Sequence, residues 1–122
     1  MTRGPRYLFC GSRLTGDTFM LRLCLEGLNT WSRQWQETIT IQDNGTLEGL
    51  EYEVGMFKYL EHQKVGEWED PNIVIAFMDR MSHNRATERL LQRADAELRP
   101  WFVIGNANDV WGVTGQSGGD HP

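Results

Sequence analysis

Asn72-Ile73-Val74-Ile75-Ala76-Phe77-Met78 is the stretch on which the fold turns. After Asn72 every residue is apolar, and Ile73, Val74 and Ile75 are β-branched. A strand with one wet face alternates polar and apolar residues, whereas an unbroken run suits a strand buried on both faces, central in a parallel sheet. Parallel neighbours cannot be joined by hairpins, so helical crossovers are needed on either side of such a strand.

Working outward, those helices are present. Downstream, the spacing over 82–98 places Thr87, Leu90, Leu91, Ala94 and Leu98 on one stripe, and Pro100 stops the helix. Trp101-Phe102-Val103-Ile104 then reads as the last strand, closed by Gly105-Asn106. Upstream, Thr38-Ile39-Thr40-Ile41 is β-branched throughout and ends at the Asp43-Asn44-Gly45 turn. Leu47, Leu50, Val54 and Phe57 step by three and four, predicting a second helix to about residue 61, with Thr46 as N-cap and Glu48 in its first turn. Residues 62–70 are polar apart from Val65 and Trp68 and predict a loop with at most a stub of strand. Nearer the N-terminus, Tyr7-Leu8-Phe9-Cys10 is a short buried strand feeding the Gly11-Ser12-Arg13 turn. After Asp17 as N-cap, Leu21, Cys24, Leu28 and Trp31 define one face of a first helix over about 18–34.

Strands alternating with helices imply an α/β fold: a small Rossmann-like three-layer domain with a mostly parallel sheet of four or five strands. It is expected to occupy residues 1–111, followed by a flexible tail over 112–122 that has almost nothing to bury. The 122 residues, 39% hydrophobic and 24% charged with five Trp and five Phe, are enough for one core. Twelve Lys and Arg against 17 Asp and Glu give a net charge of −5, which disfavours extended nucleic acid as a partner but allows a small phosphorylated ligand. No membrane-span-length apolar run and no signal-type segment occur, so a cytoplasmic protein without a membrane partner is expected. Cys10 and Cys24 sit among apolar residues as buried thiols do, and the three histidines pair with no cysteine at ligand spacing, so neither metal nor cofactor is expected.

In open α/β sheets ligands lie outside the carboxyl ends of the strands, where strand order reverses. The loops at 11–16, 43–46 and 79–85 are therefore the candidate site, each leading into a helix whose free N–H groups favour an anion. Gly11, Ser12 and Arg13 in the first loop, Asn44, Gly45 and Thr46 in the second, and Ser82, His83 and Asn84 in the third are the candidate ligand-binding residues, with Glu51 and Thr87 on the helices that follow. Arg13 can grip a phosphate bidentately. Each assignment has a plainer rival: turn glycine, capping hydroxyl, surface arginine or exposed loop polarity.

The motifs also carry a resemblance. Gly11-Ser12-Arg13 after the first strand resembles the Gly-Ser-Arg signature of the SLOG superfamily of DprA- and LOG-like Rossmann folds, particularly its DUF2493 branch. That branch has Gly-Gly-Ala-x-Gly-x-Asp after its second strand. Here Gly45-Thr46-Leu47-Glu48-Gly49-Leu50-Glu51 keeps both outer glycines and an acid, and Ala86-Thr87 with Ala94 echoes a later Gly-Thr and alanine. Thr46, Glu51 and Ala86 depart from the pattern, and of the family's Asp-Trp and Arg-Asn pairs only Glu67-Trp68 is matched. The resemblance implies binding of a nucleotide or nucleotide-derived ligand. The alternatives are a nucleotide N-glycosidic or phosphoester hydrolase, for which Glu51 or Glu88 would activate water, and a non-catalytic interaction module. Trp35, Trp68 and Trp111 fall outside the helical stripes and suit an interface, so a homo-oligomer is allowed.

Overall fold

The computed structural model describes residues 1–11, 18–78 and 85–105. Its elements run β1 (Thr2–Gly11), α1 (Phe19–Trp35), β2 (Glu37–Asp43), α2 (Leu50–Gly55), β3 (Leu60–Lys64), β4 (Ile73–Phe77), α3 (Arg85–Ala96) and β5 (Trp101–Ile104). All strand pairs are parallel, in the order β3-β2-β1-β4-β5. The expected Rossmann-like α/β sheet is thus present with five strands.

Alternate residues of the strands feed two cores. On one face Phe9, Ile39, Ile41, Leu60, Ile75 and Phe77 meet Leu21 and Leu25 of α1 and Leu50 and Val54 of α2. On the other, Leu8, Cys10, Val74, Ala76 and Val103 meet Leu90 and Ala94 of α3, with Val65 and Trp68 at the margin. β4 pairs on both sides and is buried on both faces, as its apolar run requires, although β1 occupies the middle of the sheet. At the amino ends of the strands, Asp70 receives hydrogen bonds from Arg6 and Arg99, and Asn72 Oδ1 accepts the Arg6 N–H at 2.8 Å. That closes one end of the sheet and leaves the carboxyl end to the loops.

Several expectations are corrected. β1 begins at Thr2, five residues before the apolar run, pairing with β2 across a register slip between Arg3 and Arg6, where Pro5 has no N–H to give the ladder. Residues 60–64 are a strand where a helix end and a loop were expected. β3 is an edge strand whose one buried side chain is Leu60, so its hydropathy carries no pattern. α2 is only six residues long: Gly49, at φ 81°, is its N-cap, and 47–49 form a turn from which Leu47 is still buried. Thr46 is therefore not its N-cap. Trp31 is exposed, because Ser32 takes the core position on α1. Leu98 lies beyond α3 in a left-handed conformation and is exposed. Asp17, the expected cap of α1, Trp111 and the tail lie outside the described residues.

Candidate functional site

The chain leaves β1 toward β2 and β3 on one side, then returns to lay β4 and β5 on the other, so the strand order reverses between β1 and β4. Their carboxyl ends meet at Gly11 and Phe77, which are partners in register. A Cβ on Gly11, whose φ is 150°, would stand 2.0 Å from the Phe77 carbonyl oxygen. Glycine at position 11 is therefore required by the sheet itself, at the point where a ligand crevice opens in folds of this kind.

A hydrogen-bonded chain ties that point to the next loop. The Gly11 N–H donates to Thr46 Oγ1 at 3.1 Å, and the Thr46 hydroxyl and N–H both donate to Asn44 Oδ1, at 2.7 and 3.2 Å. The structure thus brings Gly11, Asn44 and Thr46 together, and gives Thr46 a bridging role between the ends of β1 and β2. Gly45, left-handed at φ 88°, donates its N–H to Asp43 Oδ1 at 2.8 Å.

Asp43 and His62 are the pair that sequence reading missed. Asp43 ends β2 with its side chain almost enclosed, and its Oδ2 lies 2.8 Å from His62 Nε2 on β3. Both oxygens of this carboxylate are engaged, one by the following turn and one by the histidine. The signal was present only in part: an aspartate at a strand end is a recognisable ligand position, but His62 acquires a face only once 60–64 is known to be a strand.

Beyond Asp43 a cleft of about 490 Å³ is lined by Gly45, Leu47, Glu48, Gly49, Leu50, Glu51 and Tyr52. Its charged groups are Asp43, Glu48 and Glu51, so it favours hydroxyl or amine donors and repels phosphate. The expected anion site at the amino end of the second helix is corrected accordingly: α2 is short and begins among carboxylates. Glu51 lines this cleft from the exposed side of α2, whereas Thr87 is fully buried in the first turns of α3, which covers the opposite face of the sheet. Ser12, Arg13, Ser82, His83 and Asn84 lie outside the described residues. Among the described residues no group of three or more His, Cys, Asp or Glu is placed to hold a metal, and no helix is long and apolar enough to cross a membrane.

No family model and no curated protein matches the sequence.

Proposed function

We propose that the chain binds a nucleotide or nucleotide-derived phosphorylated ligand at the carboxyl ends of its strands, acting as a sensor, carrier or sequestering protein. The observation that carries this is the strand order, with its reversal between β1 and β4 at Gly11 and Phe77. The resemblance to the SLOG superfamily supports it.

The electrostatics orient the ligand. A free carboxylate of the cleft suits ribose hydroxyls, so the sugar belongs toward Glu51. The phosphate belongs on the β1 side, where Arg13 follows Gly11 by two positions in the chain. Asn44 and Thr46, between the two, supply polar contacts.

Calorimetric titration with mononucleotides, dinucleotides and ADP-ribose-like compounds tests the reading. A member of the panel is expected to bind, and to bind more weakly to Glu51→Gln. Absence of binding across the panel overturns it. The second reading, hydrolysis of the same ligand, is favoured by the His62–Asp43 pair, since a carboxylate that orients an imidazole is the usual support for a general base. A product peak after incubation, lost in His62→Gln, selects it.

A further inference from the structure

Tyr52 is the one aromatic residue of α2, and the packing of the helix makes no use of its ring. Leu50, Glu53 and Val54 are the buried residues there, whereas Tyr52 is 71% exposed. Among the described residues it makes no hydrogen bond and no ring contact. Its electrostatic neighbour is Arg22, whose guanidinium is already held by the Glu53 carboxylate at 2.7 Å. A single exposed ring is ordinary on a protein surface, but this one lines the cleft beside Glu51. We propose that Tyr52 is the stacking platform for the base of the ligand, so that the base is a required part of what the site binds. The proposal rests on the reading of this cleft as part of a nucleotide site.

Three observations carry it. First, the cleft has room for a planar group. Its volume of about 490 Å³ falls within the roughly 300–1,000 Å³ usual for small-molecule sites. Gly45 and Gly49 line it in left-handed conformations, at φ 88° and 81°, and a Cβ built on either would meet nothing within 4 Å. Bare backbone therefore borders the cleft at both positions, and a flat ring can lie close against it.

Second, the order of the groups follows the order of a nucleotide. The phosphate is assigned to the end of β1 at Gly11, to which Thr46 and Asn44 are joined by hydrogen bonds. Glu51, assigned to the sugar, lines the cleft with Tyr52, the next residue of α2. A nucleotide laid along this path from phosphate to sugar carries its base on to Tyr52.

Third, the charge of the cleft selects a neutral group for this end. A base is attracted to a phenol ring by offset stacking and carries no negative charge for Glu48 and Glu51 to repel, whereas a second phosphate placed here would be repelled. Stacking on an aromatic ring is also tolerant of base identity, since every base has a π-face.

Calorimetric titration of the full chain with AMP, UMP, ADP-ribose and ribose 5-phosphate tests the proposal, in native protein, Tyr52→Ala and Tyr52→Phe. The tightest-binding nucleotide is expected to exceed ribose 5-phosphate, which has the sugar and phosphate but no base, by about 10-fold or more. Tyr52→Ala should weaken that nucleotide by about 10-fold or more, the scale of base stacking on an aromatic ring, and leave ribose 5-phosphate as it was. Tyr52→Phe keeps the ring and should restore the affinity. Circular dichroism should be unchanged in both variants, since the side chain is outside the core. A nucleotide bound as tightly by Tyr52→Ala as by native protein overturns the proposal while the nucleotide reading stands. So does an equal loss in both variants, which would assign the effect to the hydroxyl, or ribose 5-phosphate binding as tightly as the nucleotide. If none of the nucleotides binds the native chain, the reading beneath the proposal falls, and the proposal with it.

Discussion

Gly11 and Phe77 meet backbone to backbone: a Cβ on Gly11 would lie 2.0 Å from the Phe77 carbonyl oxygen and 2.8 Å from its carbonyl carbon and nitrogen. No side-chain rotation relieves that contact, because every atom involved belongs to the paired ends of β1 and β4. Gly11→Ala is therefore expected to lower stability by about 3 kcal/mol or more, combining backbone strain with overpacking. Urea unfolding followed by tryptophan fluorescence measures it. A loss below about 1 kcal/mol would show that the strand ends can separate without disturbing the sheet.

Ser32 is the buried polar residue on the core face of α1. Its hydroxyl donates to the Tyr59 carbonyl oxygen at 2.7 Å and also lies against that of Glu37, joining the end of α1 to the starts of β2 and β3. Ser32→Ala leaves these carbonyls without that donor, on a side of the helix where Ser32 itself is wholly buried. A loss of about 1–3 kcal/mol is expected, read from thermal unfolding. Ser32→Cys, similar in shape but a weaker donor, should recover part of it.

How far the fold could be read depended on how much of each element is buried. β4 and the 7–10 stretch of β1 are apolar because they are buried on both faces, so their residues alone identified them. β3 is an edge strand, with His62 partly enclosed and Glu61 and Lys64 exposed, and no period marks it. α2 was over-extended because Leu47 and Phe57 keep a helical spacing while standing in turns, where burial is achieved without helix. The same limit applied to the site. Asn44, Gly45 and Thr46 were recognisable as turn chemistry, but the bond from Gly11 to Thr46 spans 35 positions and belongs to the topology. The Asp43–His62 pair depends on the register of an edge strand and was missed for that reason.

Burial pushes the Cys10 thiol up to about 12 and the Cys24 thiol up to about 11, from an ordinary value of 9.0. Both are free thiols and almost wholly protonated at neutral pH, so neither should react with a thiol reagent until the protein is denatured, when two per chain should appear. The sign of the pH effect follows. In the unfolded chain these thiols ionise near pH 9, whereas in the folded chain they hold their protons to about 11 and 12. Their contribution is fully present below pH 9 and is lost as pH rises through that window, at about 1.4 kcal/mol per pH unit for each thiol. Cys10→Ala/Cys24→Ala, measured against wild type from pH 8 to 11, should flatten the decline. An unchanged slope would assign it to other groups, among them Tyr7, which burial also raises.

The cleft and the switch point make opposite electrostatic demands, and that opposition tests the proposed orientation of the ligand. Asp43, Glu48 and Glu51 repel a phosphate from the β2 side, so Arg13, two positions after β1 in the chain, is the counter-charge proposed. Arg13→Ala is expected to weaken binding of a phosphorylated ligand by about 1.5–3 kcal/mol, the scale of a charge-assisted hydrogen bond, and to leave unfolding unaffected. It should matter little for the unphosphorylated nucleoside, which has no group for it to hold. Glu51→Gln should do the reverse, weakening nucleoside and nucleotide by similar factors through the sugar hydroxyls. Calorimetric titration of both variants with the nucleoside and its phosphate gives four differences to compare. If Arg13→Ala affects both ligands equally, or neither, the phosphate is not held on the β1 side and the proposed orientation is wrong.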